Sequence, residues 1–488
     1  MSEQTTAFKP TLGLLDSTMI VAGSMIGSGI FIVSADITRN VGSAGWLIVV
    51  WLITGFMTIT AALSYGELSA MFPKAGGQYV YLKEAFNPLA GFLYGWSFFA
   101  VIQTATIAAV GVAFSKFAAY LIPALSEDNK LIQFQTGLDD CNAPVYFSIS
   151  AAQGVSIVLI ILLTYSNTKG LKGGKWIQNI FTSTKLISLF GLIIAGFIAF
   201  NADVWNANWT NAWVATKSTL TDVCNPSGGF TINSISGTVL LGGIAAAMAG
   251  SVFSSDAWNN VTFIAGEIKN PKRNIGLALF LGTLIVTIIY VCANFVYLAV
   301  LPLDGIAHAE KDRVAVAASN AIFGHNGTYV IAVMIMISTF GCNNGLILAG
   351  ARVYNAMAID RLFFKKAATL NKYAVPEYAL WAQCIMASIL CLSGKYGDLL
   401  DMISFVVVLF YAITIIGIFR LRKIRPDAER PYKAFGYPLL PAIYILLALV
   451  FCVFLIIMKP VYAGIGLGIV LLGIPVYFLA IANQKKVK

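Results

Sequence analysis

Long runs of apolar residues, separated by short polar segments, fill most of this 488-residue chain. A helix that crosses a bilayer needs about 20 mostly apolar residues, because each residue adds about 1.5 Å along the helix axis. Counting such runs predicts twelve transmembrane helices, at approximately 14–38, 44–66, 89–121, 146–165, 177–200, 235–264, 275–301, 327–356, 379–394, 399–419, 438–458 and 462–482. The pattern therefore predicts an all-α integral membrane protein with loops between the helices.

Two of the predicted helices are interrupted by small and polar residues. Helix 1 contains "GSMIGSGIF" (Gly23–Phe31), and helix 6 contains "AGSVFSSDAWNN" (Ala249–Asn260). Broken helices at corresponding positions of two halves point to an inverted repeat with a binding site near the membrane midplane. If the first ten helices contain such a repeat, the spans divide as five, five and two, with halves at about 11–200 and 235–420 and helices 11 and 12 at about 437–482.

The composition agrees with a membrane protein and explains the positive charge. Hydrophobic residues make up 58% of the chain and charged residues 11%, whereas a soluble domain carries about 25% charged residues. With the N-terminus inside, 22 lysines and arginines fall in inner segments and seven in outer segments. This bias predicts cytoplasmic termini. It also explains the net charge of +10 by membrane topology, so the charge does not indicate nucleic-acid binding. Residues 1–488 are predicted to form one transmembrane domain in the cell membrane.

The two interruptions suit the two charges of a zwitterion. Glycine lowers helix stability by about 1 kcal/mol relative to alanine, so Gly23, Gly27 and Gly29 make local unwinding of helix 1 easy. N–H groups at the start of the outer half of helix 1 favour an anion such as a carboxylate, and carbonyls at the helix 6 break favour an ammonium. Gly23 and Gly27 also have the spacing of a helix-packing motif, so close packing is an alternative on these residues alone.

Four segments carry a resemblance to a known family. They are "GSMIGSGIF", "ELSAMFPKAGGQYVYLKEAFNPLAGFLYGW" (Glu67–Trp96), "DAWNNVTFIAGEIKNPKRNIGLAL" (Asp256–Leu279) and "STFGCNNGLILAGARVYNAMAIDR" (Ser338–Arg361). In this order they resemble the amino acid–polyamine–organocation superfamily and, within it, the L-type amino acid transporter group and its bacterial relatives. The resemblance implies the five-plus-five inverted-repeat (LeuT-like) fold with discontinuous helices 1 and 6.

The resemblance also implies a secondary amino acid permease or exchanger that works by alternating access. The two breaks would hold the backbone of the substrate, with amides from Ser28 and Gly29 on the carboxylate and with Phe253 as an aromatic gate on the outer side. The implied substrate-binding residues are Ser24, Met25, Ile26, Gly27, Ser28, Gly29, Val252, Phe253, Ser254, Asp256 and Asn259.

Lys185 lies more than two helical turns from Trp176, which marks the cytoplasmic edge of helix 5. A lysine at this depth is expected to face the bundle interior and to meet a polar partner. The resemblance places a lysine here, with its ammonium in the region that sodium fills in sodium-coupled members of the wider fold, between helices 1 and 8. The resemblance therefore implies transport that does not depend on sodium. A lysine that only ties helices together is the simpler alternative.

Asp256 departs from many neutral-substrate relatives in that family, which have glycine beside the tryptophan. A buried carboxylate needs a partner, which could be a basic substrate side chain, another protein group or a proton. The first choice predicts a substrate range that includes cationic as well as neutral amino acids. Asn259, Asn343 and Asn344 are further polar candidates, although asparagines in helices often only bond across the bundle.

Other functional classes have less support in the sequence. The two histidines, His308 and His325, fall in or beside an outer loop, and no metal-ligand spacing is present, which argues against an enzyme. No glycine-rich nucleotide loop occurs, so neither a cofactor nor a nucleotide is predicted. A polyamine transporter, a proton-coupled amino acid symporter and a non-transporting amino acid sensor are the alternatives.

The cysteines and the basic inner loop bear on partners. Cys141 and Cys224 lie in the second and third outer loops, whereas the other five cysteines fall in apolar runs. Outer loops face the oxidising side of the membrane, so a disulfide between Cys141 and Cys224 is a candidate. Membrane lipid is the expected neighbour of the basic segment Arg420–Pro438, and the need for an accessory subunit stays open.

Overall fold

The computed structural model describes residues 10–138, 141, 144–170, 174–222, 229–393 and 396–485. Most of these residues are helical. The helices are α1 (Leu14–Met25), α2 (Ser34–Val41), α3 (Ala44–Met71), α4 (Gln78–Ala85), α5 (Pro88–Ser97), α6 (Gln103–Leu121), α7 (Ala151–Thr168), α8 (Gly174–Ile198), α9 (Ala202–Trp209), α10 (Gly237–Ser254), α11 (Asn260–Phe263), α12 (Pro271–Val300), α13 (Leu303–Ala307), α14 (Val314–Phe323), α15 (His325–Ile359), α16 (Glu377–Ser393), α17 (Tyr396–Ile424), α18 (Leu439–Met458) and α19 (Pro460–Lys485).

Ten helical segments within these ranges are long and apolar enough to cross a membrane. They are α3, the continuous segment formed by α5 and α6 with a π-helical turn between them, α7, α8, α10, α12, α15, α17, α18 and α19. The twelve predicted spans include two more, because predicted helix 1 is divided between α1 and α2 and predicted helix 9 corresponds to α16, which has only 17 residues. The chain is a multi-pass helical membrane protein.

Both interruptions that the sequence predicts are present. α1 ends at Met25, and a short 3-10 turn, Gly29–Phe31, leads into α2. α10 ends at Ser254, and a five-residue irregular segment, in which Ala257 has a φ of 64°, precedes α11. A positive φ is incompatible with a continuing right-handed helix, so the backbone changes direction here.

The segments outside the membrane contain more structure than the sequence pattern indicates. β1 (Lys130–Leu138) pairs antiparallel with β2 (Pro144–Ser150), and β3 (Thr216–Leu220) pairs antiparallel with β4 (Phe230–Ser234). The predicted start of the fourth helix at residue 146 is wrong, because residues 144–150 belong to β2. α7 begins only after Ser150, whose side chain caps the helix by accepting from the Gln153 N–H group.

Helix α12 holds both broken helices in place. It packs along α1 and α3, and its Gly282 permits a close approach, since a Cβ atom there would lie 2.4 Å from Cγ1 of Val21 on α1.

A backbone link ties the chain before α1 to the chain before α12. The N–H group of Leu12 donates to the carbonyl oxygen of Glu267 at 3.0 Å, and the N–H group of Lys269 donates to the carbonyl oxygen of Leu12 at 2.8 Å. The chain before α1 is therefore tied to the segment that follows α11.

Candidate functional site

The two helix breaks lie against each other in the protein interior. A Cβ atom on Gly29 would lie 1.9 Å from Oγ and 2.6 Å from Cβ of Ser254. Such distances are far inside van der Waals contact, so residue 29 must be glycine for the breaks to approach this closely. The contact brings the start of the outer half of helix 1 beside the end of α10.

The start of this outer half presents backbone donors without acceptors. Within the described part of the chain, the N–H groups of Gly27, Ser28, Gly29 and Ile30 have no hydrogen-bond partner, although all four residues are buried. Buried unpaired N–H groups are rare in folded proteins. At a helix N-terminus the dipole adds positive potential to such donors, so these four groups, which we name the carboxylate cradle, suit an anion.

The second break presents acceptors beside this cradle. Among the residues that the structure describes, no donor bonds the carbonyl oxygens of Ser255 and Asp256, which follow the end of α10. The C-terminal end of a helix carries partial negative charge. The N–H donors of the first break match the carboxylate of an α-amino acid, and the carbonyl acceptors of the second break match its ammonium.

One face of α12 supplies side-chain partners for the broken backbone. Its Tyr290, Asn294 and Tyr297 have the i, i+4, i+7 spacing that places side chains on a single face. The Tyr290 hydroxyl lies 3.0 Å from the carbonyl oxygen of Met25 and 3.1 Å from that of Ser254, so it links the ends of α1 and α10. Asn294 and Tyr297 bond the outer half of helix 1. The sequence analysis did not identify these residues, although their polar spacing within an apolar helix was visible.

Lys185 bonds the unwound end of α1. Its Nζ donates to the carbonyl oxygen of Gly23 at 2.7 Å, and the side chain is 1% exposed. Next to it, the thiol of Cys342 on α15 donates to the carbonyl oxygen of Ser24 at 3.4 Å. Lysine on α8 and cysteine on α15 thus meet α1 at adjacent residues, as expected for a lysine between predicted helices 1 and 8. Its replacement of sodium stays a prediction.

Asp256 has a protein partner and also faces a cavity. Its Oδ1 accepts a hydrogen bond from the Tyr411 hydroxyl at 2.5 Å. The cavity is small, with room for about one water molecule. Its other polar lining residues are Gln78, Tyr94, Gln103, Thr106, Asn259 and Asn260. A protein partner for the carboxylate is thus present, and the surrounding amides and hydroxyls can accept or donate to a polar substrate side chain.

On the side of β1 and β2, two aromatic residues separate the breaks from a larger cavity, which we name the outer cavity. The Phe253 ring meets the Tyr396 ring edge-on at a centroid distance of 6.1 Å, and the Tyr396 hydroxyl lies 3.0 Å from Oγ of Ser28. Tyr396 also lines the outer cavity, of about 790 Å³. The role of Phe253 as a gate stays a prediction, and Tyr396 was not among the predicted residues.

Ion pairs close the opposite side. Glu67, which is 1% exposed, accepts from Nε and a terminal nitrogen of Arg422 at 3.0 and 2.6 Å and lies 3.4 Å from Arg430. Arg352 on α15 pairs with Glu267 at 3.4 Å. These pairs join α3 to the end of α17 and α15 to the segment that follows α11.

All eleven predicted substrate-binding residues are buried at or beside the two breaks. Asn259 donates to Gln78 at 3.2 Å. Asn343 and Asn344 bond groups on other helices, which is the cross-bundle role that the sequence left open for them. Contact of any of these residues with a substrate stays a prediction.

The cysteines divide as the sequence suggests. Cys141 is disulfide-bonded, whereas five cysteines within apolar helices are free: Cys292, Cys342, Cys384, Cys391 and Cys452. Cys224 lies outside the described residues, so its pairing with Cys141 stays a prediction.

Many apolar helices around two broken ones are typical of a membrane carrier for small polar molecules. The chain belongs to the amino acid permease family, whose sequence profile matches residues 12–480. It is 30% identical over 484 residues to the human (Homo sapiens) large neutral amino acids transporter small subunit 2, covering 99% of this chain and 82% of that protein. It is 28% identical to the Asc-type amino acid transporter 1 of Mus musculus over 99% of this chain and 83% of that protein. It is also 28% identical to the b(0,+)-type amino acid transporter 1 of Mus musculus, over 98% and 89%.

The contact of Gly29 with Ser254 generates a prediction. Gly29→Ala forces the two breaks apart, at a cost of about 1–3 kcal/mol as in other overpacked interiors, and should lower both the melting temperature and transport. Gly27→Ala is the milder control, since its Cβ atom would lie 3.2 Å from the Cys342 thiol. Adding Ser254→Gly to Gly29→Ala should restore part of the stability and transport, since only the Cα atom of residue 254, at 3.0 Å, would still crowd the new Cβ atom. Restored stability without transport would contradict this packing account and favour direct obstruction of a bound carboxylate.

Proposed function

We propose that this protein carries α-amino acids across the cell membrane by alternating access, with the two helix breaks holding the substrate backbone. The observation that carries the proposal is the carboxylate cradle, four buried N–H groups without acceptors, beside the unpaired carbonyls of the second break. Membership of the amino acid permease family and the transporter names of three relatives support the same substrate class.

The architecture proposed for this function is a twelve-helix, five-plus-five inverted repeat, followed by two further helices. Its support is the interruption of the first and the sixth predicted helix, and the direct packing of the two breaks at Gly29 and Ser254. The distribution of lysine and arginine supports cytoplasmic termini. In this orientation the cavity of about 790 Å³ faces the outside.

In this proposal the conformation is closed on both sides of the site. Phe253 and Tyr396 cover the breaks toward the outer cavity, while the Glu67 and Arg352 ion pairs hold the cytoplasmic side. Alternating access would release one of these two sets of contacts at a time. The link between Leu12 and residues 267–269 would make helix 1 and helix 6 move as one unit.

Transport in proteoliposomes tests the function directly. Radiolabelled amino acids should show saturable uptake that unlabelled amino acids compete for, because both the cradle and the second break recognise groups that all of them share. A panel of the twenty amino acids and common polyamines identifies the substrate. If no member of the panel gives saturable flux while the protein is folded, the proposed function is wrong.

Lys185 predicts that transport does not depend on sodium. Its ammonium already bonds the Gly23 carbonyl at the end of α1, where a coupling cation would otherwise meet backbone oxygens. Exchanging sodium for choline should leave the initial rate of uptake unchanged, and Lys185→Ala should reduce transport because α8 loses its bond to α1. A steep rise of uptake with sodium would contradict this role for Lys185.

Asp256 predicts that cationic amino acids are accepted along with neutral ones. Its carboxylate lines the cavity beside the second break, and pairing with a substrate cation gains more there than at a wet surface. Asp256→Asn should weaken competition by arginine by roughly tenfold or more, as expected for a lost bond to a charged group, while leucine competes as before.

Asp360→Asn is the matched control for this measurement. That carboxylate pairs with Lys83 at 2.6 Å outside the cavity, so its loss should affect arginine and leucine equally. Identical competition profiles for the wild type and Asp256→Asn would remove Asp256 from the substrate site and leave its bond to Tyr411 as a structural contact.

A further inference from the structure

Among the described cations that line the outer cavity, Lys116 is the one that makes neither an ion pair nor a hydrogen bond. Three of the five cations that line the cavity pair with acids: Arg39 with Asp312 at 2.7 Å, Lys459 with Asp401 at 3.0 Å, and Lys311 with Asp128. The Lys311 bond lowers the pKa of the Asp128 carboxyl below its ordinary value, which fits a lasting pair. The two other cations are Lys116 on α6 and Lys130 on β1.

Lys116 and Lys130 occupy different parts of the cavity. Lys130 belongs to the exposed β1 strand, and its Nζ donates to the backbone oxygen of Glu127 at 2.6 Å. Lys116 points into the cavity from a membrane-spanning helix and, among the described residues, makes no ion pair and no hydrogen bond. Its ammonium makes a cation–π contact with the Tyr396 ring, whose centroid lies 5.5 Å from Nζ. An ammonium that is partly desolvated and has no anionic partner attracts an anion that enters the cavity.

A single side chain separates Lys116 from the carboxylate cradle. Tyr396 stands under the Lys116 ammonium, its hydroxyl lies 3.0 Å from Oγ of Ser28, and its ring touches Phe253. Ser28 belongs to the cradle. An anion held by Lys116 is therefore one residue away from the donors that would bind it next, with Tyr396 and Phe253 as the covering pair that must move.

We propose that Lys116 is a specificity-determining residue, an entry subsite that binds the carboxylate of the substrate at the floor of the outer cavity before the covering pair opens. The inference rests on the proposed function and deepens it, because it restricts the substrates to molecules that carry a carboxylate. Amines without that group, including polyamines, meet the like charge of Lys116 and lack the anion that the cradle requires.

The attraction has a direct physical basis. Hydrogen bonds between an ammonium and a carboxylate are charge-assisted and shorter and stronger than neutral ones, and a narrow cavity lined by protein reduces screening by water. Asp312 and Glu127 line the same cavity, but among the described residues no carboxylate forms an ion pair with Lys116. A carboxylate entering the cavity is then the group that the Lys116 ammonium lacks.

The test compares matched pairs of substrate and decarboxylated analogue. In the wild type, lysine and leucine should compete for uptake, whereas 1,5-diaminopentane and 3-methylbutylamine should not. In Lys116→Met the KM for amino acids should rise roughly tenfold, as for the loss of one hydrogen bond to a charged group. The maximal rate should stay unchanged, because the subsite acts on entry, and the KM should lose most of its dependence on ionic strength.

Two control variants separate this role from a structural one. Lys116→Arg keeps the charge and should keep the wild-type KM. Lys130→Met removes the same charge from the cavity rim and should change the KM by less than about twofold, since a screened surface charge contributes little. Melting temperatures of all variants are compared, and a Lys116→Met protein that fails to fold is replaced by Lys116→Gln.

The outcomes distinguish the two proposals. Absence of amino acid uptake in the folded wild type overturns the proposed function. Normal uptake with an unchanged KM in Lys116→Met overturns the entry subsite alone, whereas effective competition by the amines in the wild type contradicts both the entry subsite and the carboxylate-binding role of the cradle. An equal rise in KM for Lys116→Met and Lys130→Met would show that the total positive charge of the cavity causes the effect. This result would also overturn the entry subsite.

Discussion

A backbone that unwinds inside a membrane must find partners for its polar groups, because lipid offers none. This requirement organises the centre of the protein. At the end of α1 the carbonyl oxygens of three successive residues are taken by Lys185, Cys342 and Tyr290. The protein thus satisfies the last carbonyl oxygens of α1, whereas the N–H groups of the carboxylate cradle have no acceptor among the described residues. A ligand with a negative group is the partner that completes this arrangement.

The same requirement explains why the supporting residues are polar and come from different helices. α8, α12 and α15 each contribute a side chain that donates a hydrogen bond to a backbone carbonyl at the end of α1. These bonds stabilise the interruption of the helix. Tyr290 lies within bonding distance of both breaks, so the two halves of the site share one support. Ser254 fits against Gly29 only because residue 29 lacks a side chain. Support and substrate site are therefore parts of one packed unit.

The charged residues outside the membrane centre form two separate groups around this unit. On the outer side they are mostly paired along the wall of an open cavity, and on the opposite side they join helix ends directly. An open cavity leaves charges available to a solute, whereas direct ion pairs hold helices together. This difference gives the two sides different roles in the proposed transport cycle, admission on one side and closure on the other.

The sequence predicted the features that depend on local composition. Apolar runs of sufficient length predicted most of the membrane helices, and the glycines and serines in helices 1 and 6 predicted the two breaks, because helix stability and lipid solubility are properties of neighbouring residues. The short β-hairpins were missed, since β2 was assigned to the start of an apolar helix and the other three strands, of five to nine residues, were assigned to loops.

The tertiary structure decided which polar groups meet. The sequence indicated that Lys185 and Asp256 need partners, and for Asp256 it left a substrate, a proton and the protein as alternatives. Tyr411 lies 155 residues from Asp256 in the chain, and no local pattern connects them. The supporting positions of Tyr290 and Tyr396 likewise arise only when distant helices pack. The sequence by itself determined where the helices break, and only the packing of distant helices decided which backbone groups stay unpaired, because hydrogen bonding depends on distances in space.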